Sequence, residues 1–87
     1  MTTVLTHQIS SGCPWCQKLK KELNDADHQA DCLEKGITHK FLECDKGDVC
    51  DAQAVPTTTN EAGCTLAGFN NADRYLTFAF EKDCVNK

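Results

Sequence analysis

The chain has 87 residues, 40% of them hydrophobic and 25% charged, with a formal net charge of −4. That is enough for one small soluble domain over residues 1–87 and too little for two. Acids and bases are interspersed with no basic cluster, which argues against nucleic acid or an anionic membrane as partner, and no apolar run approaches the roughly 18–20 residues of a membrane span.

Residues 1–9 carry neither the basic nor the apolar region of a signal peptide, so the expected location is the cytoplasm, where thiols stay reduced. The seven cysteines are Cys13, Cys16, Cys32, Cys44, Cys50, Cys64 and Cys84. An odd number rules out a fully paired disulfide framework within one chain.

In chain order, a β-rich run over residues 3–9 predicts a first strand, and Ser10-Ser11-Gly12 a turn. A helix then begins at Cys13 or Pro14. Its apolar stripe is Cys16, Leu19, Leu23, Ala26, Ala30 and Leu33, with Gly36 as its stop. Asn24 to Asp27 are weak helix formers and permit a break. A second strand is expected at 37–44, a turn at 45–48, one or two helical turns at 49–54, and a hairpin from strands 57–60 and 64–67 turning through Gly63. The last helix should span 71–84. Its core face would be Ala72, Tyr75, Leu76, Ala79, Phe80 and Cys84, which leaves Phe78 off that face. The first two strands must run parallel through a right-handed crossover. The expected fold class is therefore α/β, a four-stranded mixed sheet with helices on both faces.

Cys13-Pro14-Trp15-Cys16 carries the chemistry. Seven cysteines among 87 residues give roughly half of one such pair by chance, so the signal is the setting of strand, turn and helix around it. Together with two further segments, this motif resembles the glutaredoxin family of the thioredoxin-like superfamily. Cys13-Pro14-Trp15-Cys16 is similar to the Cys-Pro-aromatic-Cys of dithiol glutaredoxins. Ala54-Val55-Pro56-Thr57 resembles the family's cis-proline loop, Thr-Val-Pro. Leu66-Ala67-Gly68-Phe69-Asn70-Asn71 looks like the Gly-Gly-x-x-Asp segment that opens the last helix. The order of elements fits as well. The middle departs from the family: residues 13–36 are longer than usual, and the second helix is nearly deleted between Asp45 and Pro56. Ser10 stands where glutaredoxins usually carry Lys or Arg, Ala54 replaces Thr, Ala67 replaces the first Gly, and Asn70 or Asn71 replaces the acidic cap.

The resemblance implies a thiol-disulfide oxidoreductase. Cys13 is the expected nucleophile, because the free N–H groups and dipole of a helix start favour an anion by roughly 0.3–1 kcal/mol, or ~2 when partly buried. Cys16, one turn on, would resolve the mixed disulfide. Pro14 sets φ at the helix start without needing an N–H. Trp15 would form an apolar platform beside the thiols, and Lys18 is either a nearby cation or a solvated lysine. Val55 and a cis Pro56 would pair with substrate backbone. Gly68, Phe69, Asn70 and Asn71 would face glutathione, with plain capping as the other role for the asparagines. No bound cofactor or metal is expected, and glutathione is the co-substrate. The partners would be disulfide-containing proteins, ribonucleotide reductase by family analogy, and either glutathione or a thioredoxin-type flavoprotein reductase as donor. The protein should be monomeric.

The remaining cysteines read mainly as buried, inert thiols. Cys44 and Cys50 could form a second disulfide, or a zinc site with His39. His7, His28 and His39 are scattered and suggest surface or sheet-edge positions. A non-catalytic metal or iron–sulfur module built on Cys13 is the reading from a different class, and Pro14 argues against it.

Overall fold

The computed structural model describes residues 2–47, 50 and 55–82. Its elements run β1 (Thr3–Ile9), α1 (Pro14–Leu23), α2 (Ala26–Lys35), β2 (Ile37–Glu43), a 3₁₀ turn (Cys44–Lys46), β3 (Thr57–Thr59), β4 (Thr65–Ala67) and α3 (Ala72–Phe78). This is a small α/β fold with three helices and a four-stranded mixed sheet in the order β2-β1-β3-β4. The strands lie within a residue of expectation because alternation and β-branched content mark them clearly. Residues 49–54 fall outside the described residues apart from Cys50, and Cys84 lies outside them as well.

β1 is interior and parallel to β2, with register from Thr3↔Ile37 to Ile9↔Glu43. On its other side it is antiparallel to β3, with His7 opposite Thr58. Leu5, His7 and Ile9, spaced by two, are all buried, as one covered face of a pleated strand requires. On β2 the inward residues are Ile37, His39 and Phe41, while Thr38 and Lys40 are exposed.

The predicted single helix is two. Asn24 closes α1, and the Asp25 carboxylate accepts from the N–H groups of Asp27 and His28 at 3.1 and 3.3 Å, which starts α2 afresh. The break resets the helical phase. Cys16, Leu19 and Leu23 are buried as expected, but α2 buries His28 and Cys32 instead of Ala30 and Leu33, and Leu33 is 84% exposed. Gly36 ends α2 at φ 75°, the left-handed stop expected of it.

The last helix also differs. It ends at Phe78, and its buried face is Tyr75, Phe78 and Ala79, with Phe80 half exposed. Phe78 and Phe80 therefore exchange their expected places. The cause is Asn60, buried in the hairpin. Its amide donates to the carbonyls of Phe78 at 2.8 Å and Glu81 at 3.0 Å. Its side-chain oxygen accepts from the N–H groups of Ala62 and Cys64, both at 3.0 Å. One side chain thus closes the hairpin and captures carbonyls at the end of α3. The expected inert thiols are revised too: Cys44 is disulfide-bonded to Cys50, and Cys64 is also disulfide-bonded.

Removing Asn60 would take the side-chain partner from Glu81 O and the N–H groups of Ala62 and Cys64, and leave Phe78 O with the Glu81 N–H alone, and an unpartnered buried group is costly to desolvate. Asn60→Ala should lower unfolding stability by about 2–4 kcal/mol, measured as a shift in the urea midpoint with unchanged slope.

Candidate active site

Parallel pairing of β1 with β2 delivers the chain to the end of β1 just before α1, so the helix start faces the end of the sheet. Cys13 caps α1. Its backbone is extended, and its sulfur accepts from the Cys16 N–H at 3.2 Å. Pro14 occupies the first helical turn. The preceding turn is held twice. The Cys13 N–H donates to Ser10 O at 3.2 Å, and the Gln17 amide to Ser11 O at 3.1 Å. Asp45, just past β2, accepts from the Ser11 N–H at 3.1 Å and from its hydroxyl. These bonds hold the Asp45 carboxyl below the usual carboxylate range.

Cys13 is half-buried and Cys16 fully buried. Burial, then the hydrogen bond with Cys13, pushes the Cys16 thiol up to about 11, so it stays protonated at neutral pH. The Val55–Pro56 bond is cis, and the Cys13 thiol donates to Val55 O at 3.8 Å. Pro56 O accepts from the Gly68 N–H at 2.8 Å, and Gly68 has φ 81°, a conformation that favours glycine. The structure thus brings Cys13, Cys16, Val55, Pro56 and Gly68 to one place.

Trp15 is 54% exposed, its ring centre 5.8 Å from that of Phe69, and the Lys18 ammonium lies 4.9 Å from the Trp15 ring centre. Lys18 is exposed on α1, as expected of a solvated helix lysine. It covers the aromatic platform as a cation–π partner. Lys18 and Phe69 also line a cleft of about 620 Å³ with Glu22 and Ala72.

The asparagines act within the chain. Asn71 caps α3 by accepting from the Arg74 N–H at 3.0 Å, and the Asn70 amide donates to Gly68 O at 3.4 Å. Sequence reasoning missed Glu22. Its carboxylate, reaching across from α1, accepts from the Ala72 N–H at 2.9 Å. It occupies the anion-favouring end of α3 with a group of the chain's own.

His7 and His28 are not at the surface, whereas His39 is half-buried on the edge strand β2, a sheet-edge position as expected. His7 is fully buried, His28 is buried, and both converge with His39 and Cys32. Burial, then the charges of the neighbouring histidines, lowers His7 to about 3, and burial with His28 lowers His39 to about 4. Both rings are neutral at neutral pH. The only sequence signal for this cluster was the four-residue spacing of His28 and Cys32 on one helix.

The chain matches no protein-family model, no curated protein and no solved structure.

With Cys16 and Cys32 buried, and burial raising both thiols, native-state alkylation at pH 8, with the disulfides of Cys44, Cys50 and Cys64 left closed, should label Cys13 and neither Cys16 nor Cys32. Cys16 labelling should rise only as pH approaches 11. Peptide mass mapping after timed iodoacetamide treatment reads both.

Proposed function

We propose that the protein is a glutaredoxin-like thiol-disulfide oxidoreductase of thioredoxin-like fold, acting through Cys13 and Cys16. The observation that carries this reading is the Cys13 sulfur at the cap of α1, bonded to the Cys16 N–H and beside the carbonyl that precedes cis Pro56. Cys13 attacks a substrate disulfide, a new Cys13–substrate disulfide forms, and the substrate's other sulfur leaves as a thiolate. Cys16 gives up its proton and attacks Cys13, which releases the reduced substrate and leaves a Cys13–Cys16 bridge. Two thiols of the donor, glutathione in the leading reading, then restore the dithiol.

The clients are disulfide-containing proteins or glutathione mixed disulfides. Extended substrate backbone would pair at Val55, and the rim of Trp15 and Phe69 would meet its apolar side chains. A cytoplasmic setting suits a dithiol that must be re-reduced, whereas the disulfide-bonded Cys44, Cys50 and Cys64 weigh toward a more oxidising one.

One observation favours a second donor. Glu22 fills the end of α3 where a glutathione carboxylate would bind in the family, and Ser10 supplies no cation. A flavoprotein reductase of thioredoxin type would need neither contact.

In an NADPH-coupled assay with glutathione and glutathione reductase, Cys13→Ser should abolish reduction of a small disulfide. Cys16→Ser should retain turnover only with glutathione mixed disulfides. No wild-type turnover, in a protein whose Cys13–Cys16 bridge still forms, would remove glutathione as donor. Glu22→Gln vacates an anion at the helix start, so it should lower KM for the glutathionylated substrate by about 3–10-fold, a gain of roughly 0.6–1.4 kcal/mol, with kcat little changed.

A further inference from the structure

The redox reading leaves a second set of donors unused. His28 and Cys32 lie one turn apart on the buried side of α2, and His39 faces them from β2. The spacing of their donor atoms is 2.9 Å between His28 Nε2 and His39 Nε2, 3.2 Å from Cys32 Sγ to His28 Nε2, and 3.5 Å from Cys32 Sγ to His39 Nε2. A tetrahedral zinc ion, with bonds of about 2.0–2.1 Å to nitrogen and about 2.3 Å to sulfur, sets its nitrogens roughly 3.3 Å apart and a nitrogen and sulfur roughly 3.5 Å apart. The triangle already present is one face of that tetrahedron to within a few tenths of an ångström.

The surroundings point the same way. His7 Nδ1 lies 2.7 Å from Thr58 Oγ1, and His7 Nε2 lies 2.8 Å from His39 Nδ1. If His7 donates from Nδ1 to the threonine oxygen, its Nε2 accepts from the His39 Nδ1–H. His39 then presents its Nε2 lone pair to the triangle. A relay fixing the tautomer of a ligating imidazole is the usual companion of a metal-binding histidine. Three acceptor-capable atoms, two imidazole nitrogens and one sulfur, converge on one centre. Cys32 and His39 also line a cleft of about 340 Å³ with Leu23, Asn24, Gln29 and Phe41. A fourth ligand can reach the centre from there.

We propose that His28, Cys32 and His39 form a zinc site, with His7 as the positioning residue behind His39 and a water from the cleft in the fourth position. Two imidazoles and one thiolate suit zinc among common divalent ions, and three protein ligands with an open place are the arrangement of reactive zinc centres. On binding, the Cys32 S–H proton passes to solvent and a zinc–sulfur bond forms, with no change of oxidation state. The site is separate from the Cys13–Cys16 couple and does not depend on its activity.

Cobalt titration of the full chain carrying Cys13→Ser and Cys16→Ser, kept free of reductant so that the disulfides stay closed, tests the proposal. One equivalent of Co²⁺ should bring up a near-ultraviolet thiolate-to-cobalt band and intense four-coordinate visible bands, and Zn²⁺ should bleach both. His7→Gln should weaken binding roughly 10–100-fold. Adding Cys32→Ala should remove the thiolate band. No band in the parent, or a band that survives Cys32→Ala, overturns the site. Should Cys32→Ala not fold by circular dichroism, the melting temperature of the parent decides: a rise with one equivalent of Zn²⁺ that His7→Gln reduces supports the site, and no rise overturns it.

Discussion

The reactive atom of the candidate redox site is also a structural one, and the rest of the site is arranged around that fact. A helix start leaves backbone N–H groups without partners, and Ser, Thr, Asp or Asn commonly supplies the accepting atom. Here a sulfur does so, through the 3.2 Å contact with the Cys16 N–H. The turn ahead of it must then be held by other groups, since Cys13 cannot be both free to react and the sole anchor. Ser10, Gln17 and Asp45 supply those bonds. Asp45 reaches Ser11 because the parallel register sets Ile9 beside Glu43, two residues before it.

The sequence was legible wherever one local rule acted alone. Alternation and β-branched residues marked the four strands, and the stripe of Cys16, Leu19 and Leu23 marked the inward face of α1. It failed where two rules competed. A continuous stripe through Ala26, Ala30 and Leu33 assumed that the phase carried on past Asn24. The Asp25 cap began a new helix instead, which turned His28 and Cys32 inward. At α3 the apolar pattern extended to Cys84, but Asn60, distant in sequence, takes the carbonyls of Phe78 and Glu81. No pattern within α3 could announce that partner. Glu22 at Ala72 was hidden for the same reason, being a contact between residues fifty apart.

Cysteine number, likewise, was a weaker guide than cysteine surroundings. Cys44, Cys50 and Cys64 are closed in disulfides, while Cys13, Cys16 and Cys32 are free thiols. The free three differ by environment. Cys13 is half-buried at a helix start, Cys16 is buried one turn behind it, and Cys32 is buried between two imidazoles. In our proposals, identical side chains thereby serve attack, resolution and ligation.

The break between α1 and α2 also determines how these roles coexist in so small a chain. In an unbroken helix, moving Cys32 and His28 by a few tenths of an ångström onto an ion would displace the cap at Cys13 as a rigid body. With Asn24 and Asp25 as a joint, α2 can adjust against β2 while the start of α1 keeps its ties to Ser10 and Ser11. The connection that remains is β1, which carries His7 and leads directly into the Cys13 turn. β1 is hydrogen-bonded along both edges, over seven residues to β2 and three to β3, which holds it in place. The two centres therefore share a scaffold without sharing a moving part, and an ion held at α2 should stiffen the crossover while leaving the geometry at Cys13 as it is.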